Sequence, residues 1–303
     1  MATQPEVRNA GTGTKSIQAS LSELSEKEKS SMNRSGGLTG QAERLNCVKR
    51  VIAIMSGKGG VGKSLVTGLL ASNLHRMGQQ VGVLDADVTG PSIPKMFFTN
   101  GVRPEFSPFA MVPAKTRTGI SVMSVNLLLE SEDQAVIWRG PLISNLIRQF
   151  WTDVVWGDLD FLLVDLPPGT SDASLTVLQS FPMSGVVLVT SPQNLSGMVV
   201  RKAAQMVRHI KVPILGLLEN MSYFVCPDTG KTHKIFGESD PEAMASSLGM
   251  PFLGCLPIDP AIASLCDRGE IEQYSTDLFK SISQRIADLA PLAGPPKIRS
   301  KES

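Results

Sequence analysis

Four cysteines in 303 residues, at positions 47, 226, 255 and 266, are too few and too scattered to form a disulfide framework. A reducing cytoplasm is the expected setting. Net charge is equally sparse: 29 Lys and Arg against 28 Asp and Glu leave +1. That balance provides no bulk excess for gripping nucleic acid or a membrane surface, so no stable nucleic-acid partner is expected. The apolar stretches are short, as in Val186-Val187-Leu188-Val189, and fall well below the roughly 18 residues of a membrane span. The opening Met-Ala-Thr-Gln-Pro-Glu lacks a basic start followed by an apolar run, so no secretory signal is expected. Glu23, Glu26 and Glu28 are unlike a transit peptide.

What the chain does have is apolar content, 42% of it, enough for a full core. Residues 1–44 are rich in Ser, Gly, Glu, Lys and Gln and read as a disordered arm. A single domain is expected over 45–290, followed by a disordered tail over 291–303 that contains Pro295-Pro296. Short apolar runs at 51–55, 81–84, 161–164, 186–189, 214–218 and 252–256 have the near-continuous pattern of strands buried on both faces. Helical patterns lie between several of them: 63–77 is closed by Gly78, and after Asn194 apolar residues recur at helical spacing through Met198, Val199, Ala203, Val207 and Ile210. The expectation is an α/β fold, a doubly wound and mostly parallel sheet with helices on both faces. The amphipathic stretch 277–289 is expected to pack on this domain.

Gly57-Lys58-Gly59-Gly60-Val61-Gly62-Lys63-Ser64 fits G-x-x-x-x-G-K-[ST], after an expected strand and before an expected helix. Glycines let successive N–H groups turn inward around phosphates, and the helix N-terminus adds a favourable dipole. In such a loop Lys63 neutralises the β- and γ-phosphates, and the Ser64 hydroxyl ligates Mg²⁺. Two acidic strand ends accompany it. Leu84-Asp85-Ala86-Asp87 closes the second strand, and Phe161-Leu162-Leu163-Val164-Asp165 is an apolar strand ending in a carboxylate, suited to holding Mg²⁺ through water. Pro167-Pro168-Gly169-Thr170 then forms a stiff turn suited to sensing the γ-phosphate.

A lysine directly after the first glycine is not required by a plain P-loop. With Lys58, the loop resembles the deviant Walker A of the MinD/ParA/Mrp class. Asp87-Val88-Thr89-Gly90-Pro91-Ser92, Trp138-Arg139-Gly140-Pro141, Asp165-Leu166-Pro167-Pro168-Gly169-Thr170, Pro192-Gln193 and Glu219-Asn220-Met221-Ser222-Tyr223 narrow the resemblance to the Mrp/ApbC iron–sulfur carrier ATPases, from about residue 48 to 289. The resemblance implies a homodimer sandwiching ATP, with Lys58 reaching the partner's phosphates as an arginine finger does elsewhere. It implies that Asp87 orients the attacking water and joins Mg²⁺ coordination, that Asp85 supports the loop, and that Asn220 reads the adenine edge. It further implies slow ATP hydrolysis and delivery of clusters to apoproteins.

The resemblance breaks at one place. Members of this branch carry Cys-x-x-Cys after the Asn-Met-Ser segment, and this chain has Cys226-Pro227-Asp228-Thr229. Thr229 stands where the second cysteine belongs, so a symmetric dimer offers two thiolates where a bridging [4Fe–4S] cluster takes four. Cys255 and Cys266 sit in apolar surroundings and read as packing residues; His233 reads as exposed. With no cysteine between 47 and 226, the nitrogenase iron protein is excluded.

Overall fold

The computed structural model describes residues 45–88, 90–99, 101–106, 110–128, 140–193 and 196–293. The expected arm over 1–44, most of the expected tail, Thr89 and Trp138-Arg139 lie outside the described residues.

Strand β1 (Val51–Ser56) leads through the glycine loop into α1 (Lys63–Arg76). The chain continues through β2 (Val81–Asp85), α2 (Ile93–Phe97), β3 (Ala114–Lys115), β4 (Ser121–Ser124) and α3 (Gly140–Thr152). Next come β5 (Phe161–Asp165), α4 (Asp172–Ser180), β6 (Gly185–Thr190) and α5 (Ser196–His209). It closes with β7 (Ile214–Val225), β8 (Thr232–His233), α6 (Pro241–Ser247), β9 (Phe252–Ile258), α7 (Pro260–Asp267) and α8 (Asp277–Leu289).

Nine strands form one sheet in the order β8-β7-β6-β1-β5-β2-β4-β3, with β9 also pairing β7. Among the described residues of this sheet, only the β7–β8 and β3–β4 pairs are antiparallel. The alternation of side chains along each strand explains the unbroken apolar runs. Val51, Ala53 and Met55 face one core with residues of α3, α4 and α5, while Ile52 and Ile54 face a second core with α1, α2 and α8. This is the expected doubly wound architecture. The carboxyl ends of β1, β2, β5 and β6 gather at one rim, where ligands bind in open α/β sheets.

Two features depart from the sequence expectation. The strand expected over 214–218 continues to Val225, and the short β3–β4 hairpin offers too few residues for a periodic pattern. Among the described residues no helix is long and apolar enough to cross a membrane. Helix α8 buries Phe279, Ile282 and Ile286 against the second core, as its amphipathic pattern requires. Phe279→Ala should therefore lower stability by about 3–5 kcal/mol. The exposed neighbour Lys280→Ala should stay within ~0.5 kcal/mol. Urea unfolding distinguishes them, and equal midpoints would contradict the packing.

Candidate nucleotide site and thiol hairpin

The glycine loop is shaped by close approaches. Gly62 caps α1 at φ 78°, a conformation costly for other residues, and a Cβ there would lie 2.2 Å from Asn220 Nδ2. A Cβ on Gly57 would lie 2.7 Å from the Val199 backbone of α5. On the concave side the loop is open: a Cβ at Gly60 would meet nothing within 4 Å, and one at Gly59 only Pro168 at 3.9 Å.

At the floor of this cradle, fully buried Asp165 receives every polar group that α1 directs at it. Lys63 Nζ is 2.8 Å from Oδ1, the Thr67 hydroxyl donates to Oδ1 at 2.9 Å, and the Ser64 hydroxyl donates to Oδ2 at 2.6 Å. Ser64 and Asp165 form a hard-oxygen pair at the N-terminus of α1. The donor set suits a magnesium nucleotide.

Asp85 is Asp165's register partner on the adjacent strand, and it too is fully buried. It accepts backbone N–H from Asp87 at 3.2 Å and from Ser92 and Ile93 at 3.1 Å each, which fixes the loop between β2 and α2. Burial, followed by the charge of Asp165, pushes Asp85 up to about 8, against the opposing effect of the Ile93 N–H and Lys63. Asp87 is half-buried at the mouth, its Oδ1 3.3 Å from the Gly90 N–H. The Pro-Pro-Gly turn is tied to the P-loop strand by Gly169 N–H on the Ser56 carbonyl at 2.9 Å. Lys58 does not join Lys63; its ammonium donates to the Gln193 side-chain carbonyl.

Asn220 lies inside β7 rather than after a strand. Between Glu219 and Tyr223, β7 advances four residues while its partner advances two, from Cys255 to Pro257. The resulting bulge holds Met221 at φ 60° and turns Asn220 onto the P-loop, where Nδ2 donates to the Val61 carbonyl at 3.0 Å. Buried Glu219 braces the bulge, accepting from the Ser222 hydroxyl at 2.8 Å and the Ser239 hydroxyl at 2.9 Å.

Beyond the bulge β7 runs on to Cys226, the first residue of a tight turn into β8. The Cys226 N–H donates to the Lys231 carbonyl at 2.9 Å, and the Gly230 N–H to the Cys226 carbonyl at 2.8 Å. Hydrogen bonds from the Thr229 hydroxyl, then from the Thr229 and Asp228 backbone N–H groups, hold the Cys226 thiol below its ordinary range. Thr229 thus supports a thiolate instead of supplying a second one.

The other cysteines stand apart. Cys47 is exposed at the start of the described chain, and burial raises the thiols of Cys255 and Cys266, the latter to about 11. Cys255 adjoins Glu219, not Cys226. His233 is exposed opposite Phe224. Among the described residues no three His, Cys, Asp or Glu side chains form a metal-holding group.

The family profile described as NUBPL iron-transfer P-loop NTPase, within the ParA group, matches residues 47–290. The chain belongs to that family. It is 45% identical over 251 residues to an iron-sulfur cluster carrier protein of Methanocaldococcus jannaschii, covering 81% of this chain and 87% of that one. The solved nucleotide-binding protein of Archaeoglobus fulgidus, in complex with ADP and with cobalt, is 42% identical at a TM-score of 0.70, covering 80% and 96% of the two chains. The cell-division ATPase MinD of Pyrococcus furiosus shares the fold at 22% identity and a TM-score of 0.56, over 80% of this chain and all of that one. The Mrp/ApbC resemblance of the motifs and the doubly wound expectation agree with these relatives.

Sequence reasoning missed the bulge, the Thr67 hydroxyl on Asp165, Glu219 and the Gln193 contact. Thr67 carried a signal, since it lies one helical turn after Lys63. The thiol hairpin generates a direct test. Iodoacetamide labelling of Cys226, followed across pH by mass spectrometry, should rise at a lower pH than for a free thiol. Thr229→Val should move that midpoint upward, and an unmoved midpoint would remove the hydroxyl's role.

Proposed function

We propose that this chain is a Mg²⁺-dependent, ATP-hydrolysing homodimer that carries iron–sulfur clusters to apoproteins in the cytoplasm. The observation that carries this reading is β7 itself. One strand touches the P-loop at Asn220 and, six residues later, reaches the Cys226 turn, a span of about 20 Å. Nucleotide state and cargo grip are therefore joined by a single element. Four free cysteines fit a reducing compartment.

The residues divide the work as follows. Backbone N–H groups of Gly57, Lys58, Gly59, Gly60, Val61, Gly62, Lys63 and Ser64, with the N-terminus of α1, take the phosphates of ATP. Lys63, whose ammonium lies on Asp165, balances the β- and γ-phosphate charge. Ser64, Asp165 and Asp87 would hold Mg²⁺, which when bound would supply charge neutralisation at the β- and γ-phosphates. Asp87 orients the attacking water. Lys58 of one protomer stabilises charge on the nucleotide of the other. Asn220 reads the adenine edge with its carboxamide, which the bond from Nδ2 to the Val61 carbonyl holds against the loop.

The cargo is held by Cys226 of each protomer, with the remaining coordination supplied from outside the chain, since Thr229 is no thiolate. That same residue favours a second reading, an ATP-driven switch that binds a client protein and no cluster.

Lys63→Ala should abolish nucleotide binding by calorimetry, whereas Lys58→Ala should keep the affinity and suppress phosphate release. Unchanged affinity in the first would sink the P-loop assignment, and an unaltered rate in the second the cross-dimer role. Anaerobic reconstitution with iron and sulfide, read by absorbance and iron per dimer, tests the carrier reading. A chromophore on the wild-type dimer that Cys226→Ala loses supports it. No cluster, under conditions where a two-cysteine relative loads, favours the switch.

A further inference from the structure

The two P-loop lysines are held in opposite ways. Lys63 is buried on a carboxylate, whereas the half-buried Lys58 rests on a neutral amide, the Oε1 of exposed Gln193. Among the described residues no carboxylate lies within ion-pair distance of Lys58. Neither end of this contact is loosely supported. Gly57 is pressed against the Val199 backbone, and the Lys58 carbonyl accepts the Ser56 hydroxyl at 2.9 Å, so the lysine's backbone is fixed. Gln193 stands on the buried end of β6: Thr190 and Ser191 are 2% and 4% exposed, and the Gln193 N–H closes a three-residue turn onto the Ser191 carbonyl at 2.7 Å around Pro192. The amide is therefore presented at a set place beside the loop.

We propose that Gln193 is a positioning residue that parks Lys58 in the single protomer and releases it when a partner presents nucleotide phosphates. The inference rests on the cross-dimer role given above to Lys58. A neutral acceptor suits the task. It orders a long, flexible side chain, yet it competes weakly with a polyanionic phosphate chain, which attracts the ammonium by full charges. A carboxylate at the same place would hold the lysine more firmly. Because each dimer releases two parked lysines, the strength of parking enters the dimer equilibrium twice.

The test is a double-mutant cycle on the full chain, with dimerisation measured by sedimentation in the presence of a non-hydrolysable Mg-ATP analogue. Gln193→Glu should weaken the dimer at least about threefold where Lys58 is present, in keeping with an exposed ion pair replacing a neutral contact. It should leave the Lys58→Ala dimer unchanged, and analogue affinity should match the wild type in both backgrounds. An equal change in the two backgrounds would mean that position 193 acts through its turn, and would overturn the proposal, as would no change in either. If Lys58→Ala alone leaves dimerisation and hydrolysis as in the wild type, the cross-dimer reading has failed, an outcome distinct from failure of the latch.

Discussion

Asp165 is a carboxylate with no exposed surface, and the ammonium of Lys63 is the cation that makes its charge tolerable. Removing one member of such a pair costs about 3–5 kcal/mol, because the other is left buried and unpaired. The rest of the site is arranged around that constraint. Ser64 and Thr67 spend their hydroxyls on the same carboxylate, which locks the first turn of α1 to the end of β5 and so fixes the opening of the glycine loop. For Asp85, side by side with Asp165, burial and the neighbouring carboxylate push the carboxyl above its ordinary range. In the proposed account that stored polarity is what a magnesium nucleotide recruits, since the oxygens and the ammonium are already assembled there.

From this anchor a second constraint runs outward. Asn220 is pinned to Val61, and Gly62 leaves no room for a Cβ between them. The bulge at Met221 exists to make that contact while β7 continues; its left-handed residue costs of order 1–3 kcal/mol, offset by the bracing of Glu219. Past the bulge the strand is held by β9 at Tyr223 and Phe224 and by β8 at Phe224 and Val225, which ties its far end to the sheet. In the proposed account, movement of the loop on binding nucleotide is felt at Cys226 for that reason.

The nucleotide half of the site was legible because its residues are contiguous. A glycine loop between strand and helix, and carboxylates at apolar strand ends, are local patterns with a local physical cause. The sheet's faces were legible for the same reason, since 51–55 and 186–189 can only be strands buried on both sides. What could not be read depends on distant parts meeting. Glu219-Asn220-Met221-Ser222 looks like the end of a strand, and only the register against β9 reveals a bulge. The Gln193 contact joins positions 135 apart in sequence. Thr229 was legible as a missing ligand but not as the neighbour that lowers the Cys226 thiol.

The central claim is that nucleotide at the P-loop reaches the thiol hairpin through β7, and amide hydrogen exchange over residues 222–233 measures this most directly. With a non-hydrolysable Mg-ATP analogue, exchange there should change in the wild type and stay flat in Asn220→Ala at saturating analogue. A hairpin whose exchange ignores nucleotide in the wild type, or responds equally without the Asn220 side chain, would contradict the account.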